Sequence, residues 1–173
     1  MAKIVLVGSP RSQEIVPLSK YLVNKYLPYE VVFLNHEGEL NNWSKFVADY
    51  LETLPDEKVI FGLDDYLLCG ANLGELELAD GPCVKLCETT WDEHKEYPVT
   101  TQYTLWDKQL LISILRQTTS PWDFEVNGSK LLPIKPAVKT CIYYDTHSAL
   151  SGRWEGINFN QVKAEDIWNY KSY

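Results

Sequence analysis

The sequence predicts an α/β fold: a single domain over residues 1–173, built as a three-layer sandwich with helices on both faces of a mostly parallel mixed sheet. Three observations predict it. Short β-rich runs alternate with helix-period stripes through the first ~60 residues, the arithmetic of a parallel βαβαβ unit. The chain has 173 residues and 45% hydrophobic content, enough for one well-packed core and too little for two ordinary domains. The apolar run from Lys58 to Leu63 delivers two adjacent carboxylates, Asp64 and Asp65, to the C-terminal end of a strand, where open α/β sheets take their ligands.

Taken in order, Lys3–Val7 is a β-rich run followed by a Gly-Ser-Pro turn, after which Ile15, Leu18, Leu22 and Tyr26 recur at helical spacing to about Leu27. Glu30–Leu34 supplies a second strand. Trp43, Phe46, Val47, Tyr50, Leu51 and Leu54 then form a helical stripe that ends near Pro55, and the third strand leads into Asp64. Beyond Leu68 the pattern changes and the sheet is expected to become mixed. Leu73–Leu78 reads as a short helix, Cys83–Cys87 as a strand, and Pro98–Thr104 as another from its Thr, Tyr and Val content. Asp107 through Arg116 is a strong amphipathic helix burying Leu110, Leu111, Ile114 and Leu115. Ser120 and Pro121 form an N-cap and first-turn pair that opens a short helix over Trp122–Val126. Ala137–Tyr144 is the last strand expected, and the tail from His147 to Tyr173 carries no assignable pattern.

Charge and composition exclude several classes of function. The net charge is −8, with 24 acidic against 16 basic residues, and no Lys/Arg block accumulates, so the electrostatic footprint of a nucleic-acid binder is missing. The apolar run between Lys3 and Gly8 is shorter than a signal-peptide core, and no stretch approaches the ~20 apolar residues of a membrane span. The expected location is the cytoplasm. The four cysteines, Cys69, Cys83, Cys87 and Cys141, include a C-x3-C pair without a second close Cys/His pair to complete a zinc site, and read as reduced, mostly buried thiols. The loop Gly8-Ser9-Pro10-Arg11 matches neither a dinucleotide fingerprint nor a phosphate-cradling P-loop.

The acidic pair carries the chemistry. Hard divalent cations prefer carboxylate oxygens and bridge to phosphate, so side-by-side acids at a strand end suit a cation held against a diphosphate; a turn or a helix cap is the plainer use of the same two residues. Asp123 and Glu125 are the candidates for a general base. Their i, i+2 spacing turns them about 200° apart on a helix, so only one can face a cleft.

Four segments in order, LDDYLL (Leu63–Leu68), TTQYTLWDKQLL (Thr100–Leu111), SPWDFE (Ser120–Glu125) and SGRW (Ser151–Trp154), together resemble a family of small glycosyltransferase-like proteins of bacteria and their viruses. The resemblance implies a compact GT-A-type fold, with residues 1–68 as the donor-side half and 69–173 as the acceptor-side half. It also implies transfer of a sugar from a nucleotide-diphosphate donor to a carbohydrate or other hydroxyl acceptor. On that pattern Mn²⁺ or Mg²⁺ is held by Asp65 and Asp64, with Asp64 alternatively meeting the donor ribose, and His147 completes the metal shell. Ser9 and Arg11 would meet the donor, and Arg153 a phosphate. Glu125 matches the position of the base, with Asp123 as the alternative. Trp122, Gln102 and Trp106 belong to the acceptor side: Trp122 by stacking on a sugar face, Gln102 by bonding a hydroxyl, and Trp106 at the junction that carries Gln102. Two other readings stay open: nucleotidyl transfer onto a sugar phosphate, and a transferase-like fold that binds carbohydrate or a partner without turnover.

Overall fold

The computed structural model describes residues 2–8, 12, 14–87 and 97–145. A six-stranded sheet runs in the order β2-β1-β3-β6-β5-β7, formed by β1 (Lys3–Gly8), β2 (Val31–Asn35), β3 (Lys58–Leu63), β5 (Cys83–Lys85), β6 (Thr104–Asp107) and β7 (Ala137–Val138). The β1–β2, β1–β3 and β5–β7 pairs are parallel, and β6 runs antiparallel to both β3 and β5. The predicted mixed, mostly parallel sheet is the one observed.

Side-chain alternation along β1 builds the layers. Ile4 and Leu6 enter one apolar cluster with α1 (Val16–Tyr26), while Val5 and Val7 enter a second with α2 (Trp43–Thr53) and α4 (Lys108–Leu115). A strand buried on both faces is why Lys3–Gly8 reads as a continuous apolar run. The first cluster is closed by a two-stranded antiparallel ribbon of β4 (Leu67–Ala71) and β8 (Ile142–Asp145), whose register shifts between Leu68 and Gly70. The shorter helices are α3 (Leu73–Glu77), α5 (Pro121–Val126) and α6 (Gly128–Leu131).

Two expected elements differ from those observed, and one observed strand was not expected. The strand placed over Pro98–Thr104 begins only at Thr104, because residues 98–103 form a bent segment in which the Thr100 and Thr101 side chains bond the buried Glu125. The run Ala137–Tyr144 divides between the edge strand β7 and the ribbon strand β8, which belong to different sheets. No strand was expected after Asp65, yet Leu67–Ala71 is β4; a run ending in Cys-Gly-Ala has little β-propensity of its own and is held by pairing with β8.

Candidate functional site

The C-terminal ends of β1, β2 and β3 lie side by side, and Asp64 directly follows β3. Two backbone bonds fix that end: Leu63 N–H donates to Thr101 O and Asp64 N–H to Val7 O, each at 3.1 Å. The Asp64 carboxylate turns inward, is 4% exposed, and accepts a 2.9 Å hydrogen bond from Ser12 Oγ. It rests directly on the Gly8 backbone. A Cβ at Gly8 would lie 1.7 Å from Asp64 Oδ2, so the glycine supplies the space that the acid occupies.

Burial pushes the Asp64 carboxyl up to about 7, against the pull of the Ser12 hydrogen bond and with help from the neighbouring charge of Asp65. Asp65 is half-buried, and burial raises it to about 6. Its Oδ1 is closed off from solvent and has no hydrogen-bond partner among the described residues. Two carboxyls forced toward neutrality, one with an orphaned acceptor, form a donor set that suits a hard, oxygen-preferring dication. Among the described residues no group of three or more His, Cys, Asp or Glu gathers as a metal shell, so the aspartates stand as a pair.

Asp64 also borders a cavity of about 210 Å³ lined by Val16, Pro17 and Lys20 of α1 and Phe33, Leu34 and Asn35 of β2. The Lys20 ammonium lies 5.1 Å from the centre of the Phe33 ring, and its charge pulls the Asp64 carboxyl downward. This is a small concave site with an aromatic wall, one cation and one buried acid at a sheet's carboxyl edge.

Glu125 reaches the same region from the other side of β3. It is 6% exposed, and its Oε1 accepts from Thr101 N–H (2.8 Å), Thr101 Oγ1 (2.9 Å) and Thr100 Oγ1 (3.3 Å). Thr101 therefore joins Glu125 to the residue before Asp64, accepting from Leu63 with its carbonyl and donating to Glu125 with its amide. Asp123 lies on the solvent side of α5. Its carboxylate accepts from Asn127 Nδ2, from Thr119 N–H at 2.8 Å and from Thr119 Oγ1 at 3.1 Å, bonds that hold it below the usual carboxylate range, the Asn127 bond most of all. The opposed orientation expected of this pair follows from the helix. Ser120 caps α5 by accepting from Asp123 N–H, with Pro121 in the first turn.

The remaining candidates separate by burial. Trp122 is 71% exposed, whereas Gln102 is 4% exposed and Trp106 fully buried. Trp106 packs 6.3 Å from the Phe124 ring, and its indole Nε1 has no hydrogen-bond partner among the described residues. Ser9, Arg11, His147 and Arg153 lie outside the described residues. Ser12, Lys20 and Asn35 were not picked out from the sequence. Ser12 had a faint signal as a hydroxyl shortly after a glycine-closed strand, but Lys20 and Asn35 meet the site only through the packing of α1 against β2.

No known protein family matches the sequence, and no curated protein does. Among solved structures, the crystal structure of A197 from STIV aligns with a TM-score of 0.60 over 90% of this chain and 92% of that one, at 13% identity; at that identity the likeness is one of fold. The bifunctional IspDF from Campylobacter jejuni aligns with a TM-score of 0.49 over 81% of this chain, at 13% identity. The glycosyltransferase GlyE of Streptococcus pneumoniae TIGR4 aligns with a TM-score of 0.46 over 79% of this chain, at 9% identity. The chain spans 50% of the IspDF chain and 44% of the GlyE chain. Among the described residues no helix is long and apolar enough to cross a membrane.

Proposed function

We propose that this chain binds a nucleotide-diphosphate sugar at the carboxyl edge of β1, β2 and β3 and transfers the sugar to a carbohydrate or other hydroxyl acceptor. The observation that carries the reading is Asp64, an acid turned inward onto Gly8 beside a cavity, followed directly by an acid with an orphaned oxygen. Buried carboxyls pushed toward neutrality are costly to keep and concentrate at functional sites. Asp64 and Asp65 are the residues that would hold Mn²⁺ or Mg²⁺. When bound, the ion would offset the negative charge that grows on a departing diphosphate.

The chain's own residues supply the rest. Ser12 and Gly8 set the direction of the Asp64 carboxylate. Lys20 places a positive charge at the cavity wall, and Phe33 offers a flat apolar face. The acceptor side is assigned to Trp122, whose exposed indole is available for stacking. The three hydrogen bonds from Thr100 and Thr101 all fall on Glu125 Oε1 and tie the carboxylate down as a strut, leaving only Oε2 to act as a general base, and this observation favours a second reading, a transferase-like fold that binds its sugar ligand without turnover. Nucleotidyl transfer is distinguished by its product, pyrophosphate in place of nucleoside diphosphate.

The test is a thermal-shift series with uridine, guanosine, cytidine and thymidine diphosphate sugars, in Mn²⁺ and in chelator, on the native protein and on Asp65→Asn. A ligand that binds only the folded chain raises its melting temperature. The expected result is a Mn²⁺-dependent rise with at least one donor that Asp65→Asn abolishes. No metal-dependent rise with any of them overturns the proposal.

A further inference from the structure

At the opposite end of the sheet, where β3 begins, lies a cavity of about 620 Å³ to which none of the chemistry above refers. Its floor is apolar. Ile60 of β3, Leu105 of β6 and Leu76 of α3 line it, at 2%, 5% and 5% exposure. Half-buried Tyr29 adds an aromatic wall.

The rim is acidic on two banks. Asp56 and Glu57 lead into β3 on one, while Glu77 at the end of α3 and Asp80 just beyond it form the other. Lys58 is the only cation among the described residues of the lining, and its ammonium is already paired with Asp80. That pair shows what the cavity selects: an aliphatic stem rooted in β3 carries an ammonium across to a carboxylate on the α3 side. Asp56, Glu57 and Glu77 are left without an ion pair among the described residues. Asp56 Oδ2 has no hydrogen-bond donor among the described residues, an acceptor left unsatisfied there.

We propose that this cavity is a binding site for an aliphatic polyamine, its methylenes on the Ile60–Leu76–Leu105 floor and its ammonium groups on the two carboxylate banks. The match is of shape as well as sign. A metal ion would satisfy the carboxylates and leave the apolar floor wet, whereas a monoamine would reach only one bank. An alkylammonium chain uses both surfaces, with charge-assisted hydrogen bonds at its ends and a cation–π contact available from Tyr29. The site is separated from Asp64 by the length of β3, so it is independent of the transfer chemistry.

Titration calorimetry with spermidine tests the proposal, on the native protein, on Asp56→Asn/Glu77→Gln, which removes one charge from each bank, and on Asp64→Asn. Ala79→Lys is a further variant, since a lysine at that half-buried lining position places a tethered ammonium in the cavity and should block it without cutting into the core. The expected result is one spermidine per chain. Affinity should be roughly tenfold or more weaker in the double variant and lost in Ala79→Lys, but unchanged in Asp64→Asn. Butylamine should bind far more weakly than spermidine. Diffuse attraction to the acidic surface would instead give several weak sites, indifferent to the variants and abolished at about 0.3 M salt, and that outcome overturns the proposal. So does a loss of binding confined to Asp64→Asn, which would put the amine at the other end of the sheet.

Discussion

Replacing Asp64 with asparagine should make the ion-free protein more stable at alkaline pH. Burial carries this carboxyl from 3.8 to about 7, so between those values the folded chain holds a proton that the unfolded chain has released. Stability then falls as pH rises through that window. The penalty is absent below about pH 4 and complete above about pH 7. A displacement of roughly 3 pH units at ~1.4 kcal/mol each sets a ceiling of roughly 4 kcal/mol. Access to the adjoining cavity and local relaxation reduce the expected value to about 2 kcal/mol, or about 4–8 °C in melting temperature for a chain of this size. Asparagine keeps the shape and an oxygen that can accept from Ser12, so the substitution isolates the charge. Urea unfolding of both proteins at pH 4 and pH 8, in chelator, gives the measurement: equal stability at the lower pH and a more stable variant at the higher. An Asp64→Asn protein that is less stable at pH 8, or whose offset is the same at both pH values, would refute the reasoning. Under the proposed function, Mn²⁺ should restore the wild-type protein at pH 8 and leave the variant where it was.

The other expectations concern the site's supports. Gly8→Ala drives a methyl group into the Asp64 carboxylate and should cost about 2 kcal/mol while abolishing any Mn²⁺-dependent shift, read by unfolding and by thermal shift. Glu125→Ala strands the Thr101 amide and the hydroxyls of Thr100 and Thr101, a loss of about 3 kcal/mol. Glu125→Gln keeps an acceptor and should cost no more than about 1 kcal/mol; if turnover is found and survives in Glu125→Gln, this residue is a strut and the base lies elsewhere. Trp122→Ala, at an exposed position, should leave stability within about 0.5 kcal/mol, so any fall in sugar affinity reports direct contact.

Local patterns read well where one period dominated. The unbroken apolar run of Lys3–Val7 marks a strand buried on both faces, and the stripe from Trp43 to Leu54 names both the helix and the face it buries. The capping signal at Ser120-Pro121 was equally explicit, since it is a bond between near neighbours. The reading failed where partners distant in sequence decide the conformation. Residues 98–103 have strand-like composition, yet the Thr100 and Thr101 hydroxyls and the Thr101 amide are claimed by Glu125, and that claim is visible only once α5 has docked. Ala137–Tyr144 looked like one strand because its composition is continuous, while the chain passes from one sheet to another within it. In the site, adjacency made Asp64 and Asp65 conspicuous. Ser12, Lys20 and Asn35 are separated from them by dozens of residues and are joined to them by packing alone.

Helix α5 has six residues, fewer than two turns and too few to stay wound in water unaided. Two consecutive side chains clamp it: the Phe124 ring, set about 6 Å from Trp43, Phe61 and Trp106, and the Glu125 carboxylate tied to residues 100 and 101. Trp122 rides on the outside like the pointer of a dial whose gears are hidden. The angle at which that indole meets its surroundings is therefore dictated by rings that never touch solvent, and an interior change as small as Phe61→Leu would be transmitted to the surface with no alteration of the residue displayed there.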